Sequence, residues 1–184
     1  MYLDTADRSE WNTWLPLGLF HGVTCNPLLL ERASVPCDLQ QLTTLATHAF
    51  ELGAQEIQLQ TWGDRLPDLV NRGKALAAID QRVVVKVPIT CLGVEAAHHL
   101  ITAGVRITLT AVYAHHQALT AAALGADYVA PYLGRMTDRG QNGREELVAM
   151  QRSLTAIQSQ TRILVASIRQ VEDMAWLSAQ GLNT

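Results

Sequence analysis

The chain has 184 residues, a formal net charge of −3, 48% apolar residues and only 17% charged ones. That composition suits one domain with a sizeable core, expected over residues 1–184. It lacks the basic stripe of a nucleic-acid binder, and no apolar run reaches the roughly 18 residues that span a bilayer.

Asp4, Asp7, Arg8 and Glu10 interrupt the start of the chain, so it does not read as a signal peptide. Cys25, Cys37 and Cys91 are odd in number and form no CxxC or Cys/His spacing. Reduced thiols in a cytoplasmic protein without metal are therefore expected. His98-His99 and His115-His116 are adjacent pairs. Neighbours on a helix diverge by about 100°, so they read as exposed or helix-start histidines rather than chelators.

In chain order, short apolar runs predict strands over Met1–Asp4, Gly22–Thr24, Glu56–Gln60, Val83–Val87, Arg106–Thr110, Tyr128–Pro131 and Ile163–Ser167. Amphipathic runs between them predict helices over Leu39–Leu52, Leu66–Ile79, Leu92–Ala103, Ala114–Leu124, Arg144–Gln160 and Val171–Ala179. Gly53, Gly104, Gly125 and Gly181 stand just past helical runs, as C-terminal caps do. Repeated βα units imply a covered parallel sheet, either open and doubly wound or closed as a (β/α)₈ TIM barrel.

The strand ends favour the barrel. They carry Asp4, Thr24 with Asn26, Gln60, Lys86, Thr110, Tyr132 with Arg135, and Ser167. A barrel assembles its active site from the C-terminal ends of several strands, whereas an open sheet gathers one at a single switch point. No glycine-rich phosphate fingerprint follows the first strand. The pattern yields seven strands, with an eighth expected to begin near Leu182, so part of the last βα unit is expected to be lacking.

Twelve arginines accompany only two lysines, Lys74 and Lys86. Lys86 interrupts the β-branched run Val83-Val84-Val85-Lys86-Val87. Strand alternation puts Val83, Val85 and Val87 on one face and Val84 with Lys86 on the other. The all-valine face should meet the helices, so Lys86 should point into the barrel. Desolvation there lowers a lysine's pKa, and a neutral amine can form a Schiff base with a ketone. The competing reading is a lysine snorkelling to an ion pair.

The chain resembles the small transaldolase family, which includes fructose-6-phosphate aldolases. The matching segments run in order through Leu3-Asp4-Thr5, Gly22-Val23-Thr24-Cys25-Asn26-Pro27, Val84-Val85-Lys86-Val87-Pro88, Thr108-Leu109-Thr110-Ala111-Val112-Tyr113 and Tyr128-Val129-Ala130-Pro131-Tyr132, followed by Arg135. The resemblance implies a (β/α)₈ barrel, an enzyme working through a lysine Schiff base, no cofactor, a sugar phosphate substrate and a homo-oligomer, pentamer or decamer. It implies that Lys86 is the Schiff-base lysine and Asp4 the proton-moving carboxylate. Asn26 with Thr24 would hold the donor hydroxyl, and Gln60, Thr110 and Tyr132 the catalytic water. Arg135 and Ser167 would grip phosphate, with Arg169 a further basic residue close by. Transaldolases of this type carry Glu and Phe where this chain has Gln60 and Tyr132, which favours the aldolase that cleaves fructose 6-phosphate to dihydroxyacetone and glyceraldehyde 3-phosphate. The alternatives are a transaldolase using erythrose 4-phosphate and a non-catalytic phosphosugar-binding barrel.

Each position also has an ordinary use. Asp4, Asn26, Thr110 and Ser167 can cap helices, Arg135 can be a surface charge, and Tyr132 a packed aromatic.

Overall fold

Alternating turns and amphipathic runs fold into a parallel sheet whose strands follow chain order. A computed structural model describes residues 1–182. The strands are β1 (Tyr2–Asp4), β2 (Gly22–Thr24), β3 (Glu56–Gln60), β4 (Val83–Pro88), β5 (Ile107–Val112), β6 (Tyr128–Pro131) and β7 (Arg162–Ile163). Each pairs in parallel with the next, in the order β1 through β7. Consecutive order is barrel order, whereas a doubly wound sheet reverses its strand order midway. Among the described residues there are seven strands, and β1 and β7 form the two edges. The eighth strand expected to begin near Leu182 lies outside the described residues. Leu182 itself is buried, and its N–H closes the preceding helix on Leu177 O.

The helices are α1 (Arg8–Trp14), α2 (Pro27–Arg32), α3 (Leu39–Glu51), α4 (Leu66–Ala77), α5 (Cys91–Thr102), α6 (His115–Leu124), α7 (Leu133–Asp138), α8 (Gly143–Ala156) and α9 (Val171–Ala179). Side chains of Asp7, Asn26, Asp38, Thr90 and Asn142 accept backbone N–H bonds at five of their starts. Gly53, Gly104, Gly125 and Gly181 end helical runs with positive φ, as the sequence predicts. Among the described residues no helix is long and apolar enough to cross a membrane.

The core divides by strand alternation. Val83, Val85 and Val87 pack with Ile57, Leu59, Ile107, Leu109 and Val129 beneath the helices. Val84 faces the other way, clustered with Tyr128 and Leu164. Lys86 shares the Val84 face, as alternation requires. Deeper on that face lies Glu56, only 3% exposed. It accepts from Tyr2 Oη (2.6 Å), Gln58 Nε2 (3.0 Å) and Arg106 Nη2 (2.6 Å). Arg106 also reaches Asp127, at 3.3 Å.

Boundaries shift by a residue or two at several elements, and at three the backbone shows why. The expected Ile163–Ser167 strand is β7 at Arg162–Ile163, yet ladder bonds continue from Leu164 N–H to Val129 O and from Ala166 N–H to Pro131 O. Pairing ends where Ser167 turns to φ +58. The helix expected over Arg144–Gln160 stops at Ala156, because Gln158 takes φ +52 and Ser159 N–H bonds back to Leu154 O. The strand expected over Arg106–Thr110 runs on to Val112 through a bulge at Ala111. Short helices α1, α2 and α7 carry too few turns to show a period in the sequence.

Candidate active site

Lys86 stands at the C-terminal half of β4, in register with Gln60 of β3 and Thr108 of β5. Its side chain is 5% exposed and borders a cavity of about 400 Å³ that also takes in Asp4, Thr24, Gln58 and Ser167. Among the described residues no carboxylate lies within ion-pair distance of Nζ. The snorkelling ion pair is therefore not what holds this lysine.

Asp4 and Thr24 are register partners on β1 and β2, and Thr24 Oγ1 donates to Asp4 Oδ1 at 2.5 Å. Asp4 caps no helix, since Asp7 caps α1. Cys25 lies behind them. Burial pushes its thiol up to about 12.

Thr110 and Tyr132 come together from adjacent strand ends, their hydroxyls 3.0 Å apart. Tyr132 is packed, 9% exposed, and its hydroxyl still finds a partner. The bulge beside Thr110 depends on Ala111 at φ +59, a conformation L residues rarely take without tertiary support. Gln60 faces the Lys86 level in register but lies outside the cavity wall.

Arg135 sits on α7 with its guanidinium 4.8 Å above the Tyr132 ring and Nη1 3.5 Å from Tyr113 Oη. Ser167 lines the cavity, and its carbonyl accepts from Gly134 N–H at 2.9 Å, one residue from Arg135. A Cβ at Gly134 would stand 2.5 Å from that carbonyl, so only glycine lets α7 start against the Ser167 turn. Ser167 caps no helix, since α9 starts from Gln170.

Asn26 does take its ordinary use. Its Oδ1 accepts from Leu29 N–H at 3.1 Å and caps α2, with Pro27 in the first turn. It does not border the cavity, and its amide NH2 is the part not engaged in the cap. Arg169 grips Asp138 with both terminal guanidinium nitrogens, Nη1 and Nη2, at 2.6 and 2.5 Å. A larger surface cleft, about 620 Å³, lies where α7, α8 and α9 meet, but its arginines are already paired, Arg144 with Asp173 and Arg169 with Asp138. His98 and His99 are exposed on α5, and His115 begins α6 with its ring on Ser153 Oγ at 2.6 Å.

Sequence reasoning missed Gln58, Glu56 and Tyr113. For β3 the signal was present, because Glu56-Ile57-Gln58-Leu59-Gln60 alternates polar with apolar and puts three polar groups on the inward face. Tyr113 carried no such mark. It follows the bulge and stacks edge-on against Tyr132, with centroids 5.7 Å apart.

The chain matches the family described as Transaldolase/Fructose-6-phosphate aldolase over residues 1–183. A probable transaldolase of Desulfotalea psychrophila is 34% identical over 97% of this chain and 82% of its own length. Probable transaldolases of Kosmotoga olearia and Halalkalibacterium halodurans are each 32% identical, over 100% and 99% of this chain and 82% and 84% of theirs. In fold alone, a sulfite-bound flavocytochrome b2 variant is similar, with a TM-score of 0.63 at 14% identity over 98% of this chain and 54% of that one. With the match spanning nearly every residue, the chain belongs to the transaldolase/fructose-6-phosphate aldolase family and is an enzyme of the aldolase/transaldolase type.

Proposed function

We propose that the chain cleaves fructose 6-phosphate reversibly into dihydroxyacetone and glyceraldehyde 3-phosphate through a Schiff base on Lys86. The observation that carries this reading is a buried lysine, without a carboxylate partner among the described residues, on the wall of a cavity it shares with Asp4 and Thr24. The Nζ amine adds to the C2 ketone, and the carbinolamine loses water to give an iminium. Asp4 then takes the C4 hydroxyl proton as the C3–C4 bond breaks. The bonding electrons pass into the iminium, leaving an enamine on Lys86 and freeing the aldehyde. Protonation of the enamine and addition of water release dihydroxyacetone. Thr24 holds Asp4 in place, and the NH2 of Asn26 supplies a donor for the ketose hydroxyl. Gln60 with the Thr110–Tyr132 hydroxyl pair orients the water, and Arg135 with Ser167 takes the phosphate.

A second reading has support in the relatives, which are named probable transaldolases. There the enamine waits for an aldose phosphate acceptor, and the net reaction is transfer. The Tyr132 hydroxyl favours release. A Tyr132→Phe chain should therefore liberate free dihydroxyacetone on the order of 10²-fold more slowly, the scale of losing one proton-handling group. Its transfer to an added aldehyde should fall much less. Equal loss of both would remove Tyr132 from the release step.

The direct test is trapping. Borohydride added to the protein with fructose 6-phosphate should leave a three-carbon adduct in the intact mass, mapping to the peptide that holds Lys86. A folded chain that gains no mass would overturn the Schiff-base reading.

A further inference from the structure

The carboxylate assigned to proton transfer opens a loop that a buried tryptophan ties down. Asp4 ends β1, and Thr5, Ala6 and Asp7 separate it from α1. Trp11 of α1 is fully buried, and its indole Nε1–H donates to the Thr5 carbonyl at 3.0 Å. No backbone N–H reaches that carbonyl among the described residues. The rest of the loop is closed locally: Thr5 Oγ1 accepts from Asp7 N–H at 3.1 Å, and Asp7 caps α1.

Indole has one donor and no acceptor, and a buried indole needs a partner for it. Here the partner is the carbonyl of the residue next to Asp4, so the bond that settles the indole also settles the loop. The ring is held from behind. It lies nearly parallel to the imidazole of His48 on α3, with centroids 6.3 Å apart and planes 19° apart. His48 Nε2 is buried without a hydrogen-bond partner among the described residues, so the two rings meet by stacking alone. Thr24 holds the carboxylate from the other side, donating to Oδ1 at 2.5 Å. Thr24 sets the rotation of the carboxylate, and Trp11 the backbone from which it projects.

We infer that Trp11 is a positioning residue for Asp4. Through the Thr5 carbonyl it holds the β1–α1 loop so that the carboxylate meets the C4 hydroxyl as the C3–C4 bond breaks. The inference rests on the function proposed above, since Asp4 must move that proton for its placement to matter. It concerns the cleavage step alone, because imine formation needs the Lys86 amine and not the placement of Asp4.

Trp11→Phe keeps an aromatic ring against His48 and loses the N–H. In the full chain it should lower kcat for cleavage of fructose 6-phosphate about tenfold, part of the ~10²-fold that a 1 Å misplacement can cost, and leave KM nearly unchanged. Trp11→Leu, which also lacks the donor, should show the same split. Trapping with dihydroxyacetone and borohydride, which needs an imine but no carbon–carbon cleavage, should proceed as in the native chain. In an Asp4→Asn background Trp11→Phe should cost nothing further, because the group it places is gone. A merely structural tryptophan would slow trapping and cleavage alike and would add to the loss in Asp4→Asn, and that result would overturn the inference. So would native kcat in a folded Trp11→Phe chain. A native chain that gains no mass with dihydroxyacetone would overturn the Schiff-base reading instead, and leave Trp11 no cleavage step to serve.

Discussion

A Lys86→Met chain is expected to lose turnover of fructose 6-phosphate by on the order of 10⁵-fold, the scale on which covalent nucleophiles are lost. Without the Lys86 amine no iminium forms on β4 to accept the electrons of the breaking C3–C4 bond. Lys86→Arg should be equally inactive, because a guanidinium stays protonated and is no nucleophile. Methionine matches the length of the lysine stem, and Val84 and Tyr128 already form an apolar cluster on that face. Removing a buried amine that has no carboxylate partner among the described residues also removes a desolvation cost. The thermal midpoint of Lys86→Met should accordingly equal or exceed that of the native chain. Turnover within tenfold of native, in a chain of native thermal midpoint, would place the nucleophile elsewhere.

That lysine was legible because the surrounding signal is period-two. Val83, Val85 and Val87 could only be a helix-facing stripe, and their alternation fixed where Lys86 points. Asp4, Thr24 and Ser167 were legible as strand ends, and the fold brings all three to the cavity that Lys86 borders. Gln60 ends a strand, Asn26 caps α2 and Arg135 lies in the first turn of α7, yet all three stand off that wall. Ala111 at φ +59 shows why. Nothing about an alanine marks a left-handed bulge, since the surrounding contacts hold it there. The early end of α8 is of the same kind, a turn at Gln158 with no glycine to announce it. The consecutive strand order was legible as βα alternation, while the register that sets Gln60 level with Lys86 was not.

The other large effect lies beneath the cavity, where the network around Glu56 closes the inward face. Glu56→Gln is expected to cost about 2–3 kcal/mol of unfolding free energy at pH 7. That is just under the ~3–5 for breaking a fully buried pair, because the Arg106 side chain keeps 37% of its exposure and a second carboxylate, Asp127. An amide offers one acceptor oxygen where the carboxylate serves Tyr2, Gln58 and Arg106, and its NH2 would face donors. The pH dependence follows from the same contacts. Burial pushes the Glu56 carboxyl up, but the bonds from Tyr2, Gln58 and Arg106 outweigh it, and its pKa lies below the ordinary value. The folded state therefore binds this proton less readily than the unfolded one. Its stabilisation is complete above the unfolded glutamate value of about 4.3 and is lost as pH falls through the lower, folded value. Urea unfolding of the native chain should show that acid loss, and Glu56→Gln should be less stable at pH 7 but flatter below about pH 4. Parallel acid limbs in the two chains would remove Glu56 from this role. The consequence reaches the site, because Gln58 is held between Glu56 and the Thr108 hydroxyl, 2.8 Å from its Oε1, and Thr108 is the register partner of Lys86. A chain that loses the Glu56 charge loosens the layer on which Lys86, the proposed nucleophile, stands, so its stability and its turnover should decline together as the pH is lowered.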